Sequence, residues 1–305
     1  MASQNNNEIY WGEERCQAKK ASGEACVNGA YYTLDGVLLC GVHSGGKKKE
    51  KRVELARNPN EKQIKEQESA EHSKGCDAAA LARKEKGEKG TVTLYKMRMM
   101  KNVGYVDGVV NVFPNFKHGG RKDGLGLPSL SPKSIGPVHH SQPGLPVALN
   151  LENFHQGNKV FPCEVDEKGE VKKAFFDTQM AMYKDAVPHR HKEAADGKNV
   201  PLYSLWKDKE GGVHKISYFV SRQFYCVYYE RATMENPDFL RLKEMVDKGY
   251  NLRICGYDAY EPGNKGIEEC YCDITRPFGH ELVLYAMLTE SQENWPWRKY
   301  KTFDF

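Results

Sequence analysis

The sequence lacks the features that would tie it to a membrane or a secretory route. No run approaches the roughly 18–20 apolar residues needed to span a bilayer. The opening "MASQNNNEIYWGEER" has neither a basic n-region nor an apolar h-region, so no secretion signal is visible. A strong charge of one sign is missing too: 45 Lys+Arg against 41 Asp+Glu leave +4 over 305 residues, too little to make nucleic-acid binding the default. There is no G-x-S-x-G, no P-loop and no G-x-G-x-x-G after a strand. Nine cysteines without a secretion signal argue for reduced thiols and metal ligation over a disulfide framework. The expectation is a soluble intracellular protein with no membrane partner.

What is present falls into three parts. Residues 1–45 are rich in cysteine and aromatics. Residues 46–90 are nearly free of large apolar side chains and cannot bury enough area to offset chain entropy. They read as a basic, flexible linker, transiently helical over 61–71, with a docked basic helix as the alternative. Residues 44–101 hold 16 Lys/Arg against 9 Asp/Glu, a net of +7, so contact with nucleic-acid phosphate is expected there if anywhere. From 91 to 305 the texture changes. "TVTLYKMRMM", "GYVDGVVNVFPNF" and "YNLRICGYDAY" predict short strands. Helices are expected at 147–161, 173–185, 220–233, 236–248 and 280–291. The fourth has Asn236 as N-cap, Pro237 at its first position and Gly249 past its last turn. A Gly/Pro-rich passage of 29 residues, 118–146, reads as a long functional loop. The fold class is α+β: a helix-rich C-terminal domain preceded by a small zinc-binding module and a basic linker.

Cys16, Cys26, Cys40 and His43 follow the spacing C-x9-C-x13-C-x2-H. Three thiolates and one imidazole suit tetrahedral Zn2+, and four protein ligands make the ion structural, with no open position for water. A module of about 30 residues cannot fold on an apolar core alone, so a metal would explain its order. Four unrelated residues is the plainer alternative. The residues Cys16, Lys20, Gly23, Cys26, Ala30, Cys40, Gly41 and His43 also resemble a small Cys3His module found in diverse proteins of large DNA viruses and some microbes. That resemblance implies a host cytoplasm, nucleus or virion as the setting.

In "LNLENFHQGNKVF", residues 149–161, a helix would set Glu152, Gln156 and Lys159 on one face, with Asn153 and His155 flanking it. An ordinary wet face is one reading. A polar pocket wall is the other; against the first reading, Glu152 has no Lys four residues on to pair with. Three further segments carry reactive groups. "DAVPHRHK" could be a solvated loop. Asp258, between Tyr257 and Tyr260, could cap a turn, and His280 with Glu281 could be a helix's ordinary first turn.

The opening stretch is similar to the "S-E-H-x-x-Q-x-x-K" helix of the NADAR family, whose members cleave N-glycosidic bonds on ribose phosphates. Glu152, Gln156 and Lys159 match that pattern, while Asn153 and Asn150 stand where it has His and Ser. Asn236, Pro237, Leu240, Gly249, Leu252 and Asp258 resemble a second passage, and Gly279, Leu282 and Met287 a third, although the Trp-Gly that follows the Asp is missing. The resemblance implies a hydrolase acting on ADP-ribose or a related ribosyl-phosphate compound, free or on a macromolecule. Glu152 and Asp258 would be catalytic. Gln156, Lys159, Asn153, Tyr257, His280 and Glu281 would bind substrate. The alternative is a nucleic-acid-binding or virion-associated protein with a catalytically inert C-terminal domain.

Overall fold

The computed structural model describes residues 9–45, 48–56, 59–98, 102–194 and 199–300. The chain divides into two compact units, Met1–Glu68 and Ser69–Phe305. Helices and strands both contribute, an α+β composition. Among the described residues no helix is long and apolar enough to cross a membrane.

The smaller unit is an antiparallel sheet of order β2-β1-β3, from β1 (Tyr32–Leu34), β2 (Val37–Leu39) and β3 (Val53–Glu54). Asp35 and Gly36 close the β1–β2 hairpin with φ of 51° and 78°, the doubly positive pair that a two-residue type I′ loop requires. The Arg52 guanidinium lies 3.8 Å above the Tyr32 ring and donates to the Ser44 carbonyl at 2.9 Å. The module expected to end at residue 45 therefore runs on to Ala56, whose carbonyl accepts from the Trp11 N–H at 2.8 Å. Its buried apolar cluster is Cys16, Cys26, Leu39 and Cys40, so three of four core residues are thiols.

The stretch expected to be a flexible linker instead holds a 25-residue helix, α1 (Glu61–Glu85). Residues 46–47 and 57–58 of that stretch lie outside the described residues. Ala, Glu, Lys and Gln favour helix on propensity alone, and Cys76 and Ala80, at i and i+4, are buried. From Ser69 on the helix belongs to the larger unit. Tyr250 donates to Asp77 at 2.8 Å, Arg83 donates to the Gly249 carbonyl at 3.2 Å, and the His72 ring stacks on Tyr105. Ordering comes from a few small residues fitting closely, which an apolar-content argument does not register.

The larger unit is built on a parallel sheet of order β4-β10-β5-β6: β4 (Val92–Lys96), β5 (Val109–Phe113), β6 (Leu125–Gly126) and β10 (Asn251–Gly256). The three strands foreseen from sequence are its core, and Met99 and Met100 of the first lie outside the described residues. On central β10, Ile254 pairs with Leu94 on one side and Val112 on the other, all buried in the main core. A second, antiparallel sheet joins β7 (Lys159–Val160), β8 (Tyr203–Lys207) and β9 (Val213–Ile216). The helices are α2 (Leu151–Gly157), α3 (Lys173–Lys184), α4 (Tyr218–Thr233), α5 (Pro237–Asp247), α6 (Gly266–Cys272), α7 (His280–Thr289) and α8 (Pro296–Lys299).

Four of the five expected helices appear within two residues of their expected ends. α5 begins with the Asn236 side chain accepting from the Asp238 N–H at 2.9 Å, and Gly249 follows it at φ 93°. α2 is shorter than the expected 147–161. Asn150 caps its start, accepting from the Asn153 N–H at 2.8 Å. Asn158 ends it by donating to the Phe154 carbonyl at 2.8 Å, and Lys159 then enters β7. The Gly/Pro-rich passage is not a free loop, because Leu127, Leu130, Ile135 and Val138 are buried in the main core.

α4 runs through the centre of this unit, and three of its buried polar side chains are hydrogen-bonded to main-chain carbonyls, an indole and a guanidinium. Arg222 donates to the carbonyls of Tyr271, Asp273 and Arg276, and Gln223 donates to that of Trp297. Glu230 accepts from the Trp297 indole at 2.6 Å and from Arg298. Truncating the central strand tests the sheet's place in this core. Ile254→Ala is expected to destabilise the larger unit by about 2–5 kcal/mol, read from urea unfolding by tryptophan emission. Trp206, Trp295 and Trp297 report on this unit.

Candidate functional site

The four N-terminal ligand candidates converge. His43 Nδ1 stands 3.3 Å from both Cys16 Sγ and Cys40 Sγ, and Cys26 Sγ stands 3.9 Å from Cys40 Sγ. All four donor atoms lie within 4.8 Å of one another, with the cysteines buried and His43 half-buried. Burial pushes the Cys40 thiol up, but the N–H groups of His43 and Val42 and the Asn28 amide outweigh it and bring it down to about 6. A thiolate is what a cation needs at that point. The donor set and its spacing fit a metal site.

In the larger unit, α2 presents a connected row. Lys159 Nζ donates to Gln156 Oε1 at 3.0 Å, and Gln156 Nε2 donates to Glu152 Oε1 at 3.1 Å. The row survives the early end of the helix because Lys159, one residue beyond the Asn158 cap, reaches back over the last turn. Burial holds the Lys159 ammonium below its ordinary value, with Glu152 opposing and Arg190 adding to the depression. His155 is held well below its usual range by burial and the nearby Lys159 charge, so it stays neutral.

A second group forms where β10 ends against the start of α7. Ligand sites in parallel sheets favour this carboxyl end of the strands. Glu281, 2% exposed, occupies the space left by Gly256, where a Cβ would meet its Oε1 at 2.0 Å. A Cβ on Gly279 would lie 2.9 Å from Glu281 Oε2 and 3.5 Å from the Asp258 Cβ, so both acids border the same gap. Glu281 sits in the first turn of α7, where the helix dipole favours a negative charge. His280 Nδ1 is 3.1 Å from Glu281 Oε2, and its Nε2 is 2.9 Å from the Pro114 carbonyl beyond β5. Tyr257 is exposed, its hydroxyl 3.5 Å from His118 Nε2.

Four rings link the two groups. Centroids step from His155 to Tyr225 at 5.1 Å, to Tyr229 at 6.4 Å and to His280 at 6.2 Å. Burial raises the Tyr225 phenol well above its usual value, and Tyr229, Glu152 and Glu281 all add to it. One tyrosine thus senses a carboxylate from each group. The sequence pointed to neither Tyr225 nor His118. Tyr225 and Tyr229 could have been found as an i, i+4 pair on α4; His118 gave no signal beyond its place in the Gly/Pro-rich passage.

Asn153 has a different task from the substrate contact expected of it. It is fully buried. Its Nδ2 donates to the carbonyls of Asp185 and Val187 at 2.9 Å each, and its Oδ1 accepts from the His189 N–H at 2.9 Å. That amide pins the "DAVPHRHK" segment to α2. Arg121, in the Gly/Pro-rich passage, is tied to Asp123 and stacked over Phe113 at 4.0 Å. A cavity of about 440 Å³, bordered by His72, Cys76, Tyr105, Lys122, Arg241 and Tyr250, contains none of the predicted catalytic or substrate-binding residues. Comparison with protein-family models, with curated proteins and with solved structures yields no match.

Because thiols make up most of its core, an ion held by the Cys3His cluster is expected to be needed for the smaller unit to fold. Chelation, or Cys40→Ala, is expected to unfold residues 9–56 while the larger unit keeps its thermal transition. Domain-resolved hydrogen exchange reads both, and retained protection in 9–56 without metal would contradict the dependence.

Proposed function

We propose that the larger unit is an N-glycosidase acting on an ADP-ribose or related ribosyl-phosphate compound, and that the N-terminal cluster holds a structural Zn2+. The observation that carries the first part is the pair of acidic groups joined by the ring row from His155 to His280. Breaking a ribosyl C–N bond builds positive charge on the sugar, so a fixed carboxylate stabilises that charge or activates water. Glu152 suits this role: Gln156 orients its Oε1, and Oε2 has no protein hydrogen bond among the described residues. Gln156 would contact ribose hydroxyls and Lys159 a phosphate. Asp258, exposed beside the buried Glu281, would serve as second acid or ribose ligand, with His280 against Glu281 and the exposed Tyr257 ring, edge-on to His118, offering a face to a base.

For zinc, bonds of about 2.0–2.3 Å in a tetrahedron put donors about 3.3–3.8 Å apart, close to the spacings of 3.3 and 3.9 Å seen here. The smaller unit and the basic residues after it would add contacts to phosphates of a nucleic acid or an ADP-ribosylated macromolecule.

The test is turnover by the full chain on ADP-ribose, NAD, nucleotides and ADP-ribosylated DNA, with products read by mass spectrometry. Release of a base or a ribose phosphate is expected, and Glu152→Gln should lower kcat by about 100-fold or more without moving the thermal transition. Unchanged rates in both Glu152→Gln and Asp258→Asn would contradict the assignment.

A further inference from the structure

The "DAVPHRHK" segment is held at two points. Asn153 on α2 takes the backbone of residues 185, 187 and 189, as described above. Two residues later His191 is fully buried, its ring 4.8 Å from that of Phe161 and its Nε2 3.4 Å from Glu164. Arg190 lies between these anchors, so it runs past the 153–161 stretch, in which Lys159 is the one Lys or Arg. The Arg190 side chain is exposed and makes no hydrogen bond or ion pair among the described residues. Lys159 donates to the neutral Gln156, with no carboxylate at ion-pair distance among those residues.

Arg190 is close enough to add to the depression of the Lys159 ammonium, while Glu152, reached only through Gln156, opposes it; two such cations repel each other, and a fold that fixes both backbones does not let them separate freely. An anion between them removes that cost. Guanidinium grips two phosphate oxygens in parallel, and ammonium adds a point charge from a second direction.

We infer that Lys159 and Arg190 are the two arms of a phosphate or pyrophosphate subsite, with Asn153 and His191 holding the loop that supplies the second arm. The inference rests on α2 being a wall of the substrate site, and it adds Arg190 to that wall. It also gives the buried Asn153 and His191 a positioning role: they set the reach of Arg190 without touching the ligand.

Calorimetric titration of the full chain with inorganic pyrophosphate at low salt tests it. Binding is expected, weakened about tenfold or more by Arg190→Ala and partly restored by Arg190→Lys, which keeps the charge but not the paired contact. Arg241→Ala removes an equally solvent-exposed arginine from the separate cavity and should leave affinity unchanged. Wild-type affinity in Arg190→Ala, no binding by the parent protein at millimolar pyrophosphate, or an equal loss in Arg241→Ala would each overturn the subsite. Arg190-dependent binding without turnover of any ribosyl compound would defeat the glycosidase reading and leave the subsite standing. Turnover that survives Arg190→Ala with unchanged KM would do the reverse.

Discussion

The close approach of α7 to the end of β10 is the constraint that sets the acidic edge of the larger unit. Any side chain at Gly256 would run into Glu281, since even a Cβ would come within 2.0 Å of its carboxylate. That contact brings a helix N-terminus down onto the carboxyl edge of a parallel sheet. It buries Glu281, leaves Asp258 and Tyr257 at the rim, and lets His280 reach the carbonyl of Pro114 just past the end of the neighbouring strand. The register of β10 between β4 and β5 fixes the strand end, and the buried face of α7 fixes the helix. Acidic and aromatic groups at that edge are therefore set by packing well away from them.

α4 couples this edge to α2. Its Tyr225 and Tyr229 form the middle of the ring row, while its Arg222, Gln223 and Glu230 tie it to the segments around α6 and α8. Buried charges are tolerated because each finds several partners: Arg222 meets three carbonyls, and Glu230 meets an indole and a guanidinium. Removing one partner would leave a buried charge short of hydrogen bonds, which costs more than the bond itself contributes. The polar interior thus holds α4 in one position. A fixed α4 in turn fixes the separation of the acidic group on α2 from the one on α7.

Much of this was legible locally. The caps at Asn236, Pro237 and Gly249 act within a few residues, so α5 could be bounded from sequence. The Cys3His cluster was legible because its chemistry is restrictive: three thiols and an imidazole at turn-forming spacings have few other uses. The Glu152–Gln156–Lys159 row was foreseen as a helical face, but its real basis is a helix that stops at Asn158 and a lysine that folds back. Long-range packing was not legible. Nothing in the composition of 61–85 shows that Cys76 and Ala80 lie in a buried seam, or that the Gly/Pro-rich passage contributes Leu130 and Ile135 to the core. Asn153 illustrates the same limit. Its type and position suit a ligand contact, yet its amide is spent on the backbone of a segment more than 30 residues away.

The central claim is that the acids on α2 and at the end of β10 border one substrate site. A crystal structure of the full chain with ADP-ribose bound tests it most directly. The account predicts a ribose lying between Glu152 and Asp258, with its phosphates toward Lys159. Ligand bound in the cavity beside α1 and α5, with those two carboxylates facing solvent, would contradict it.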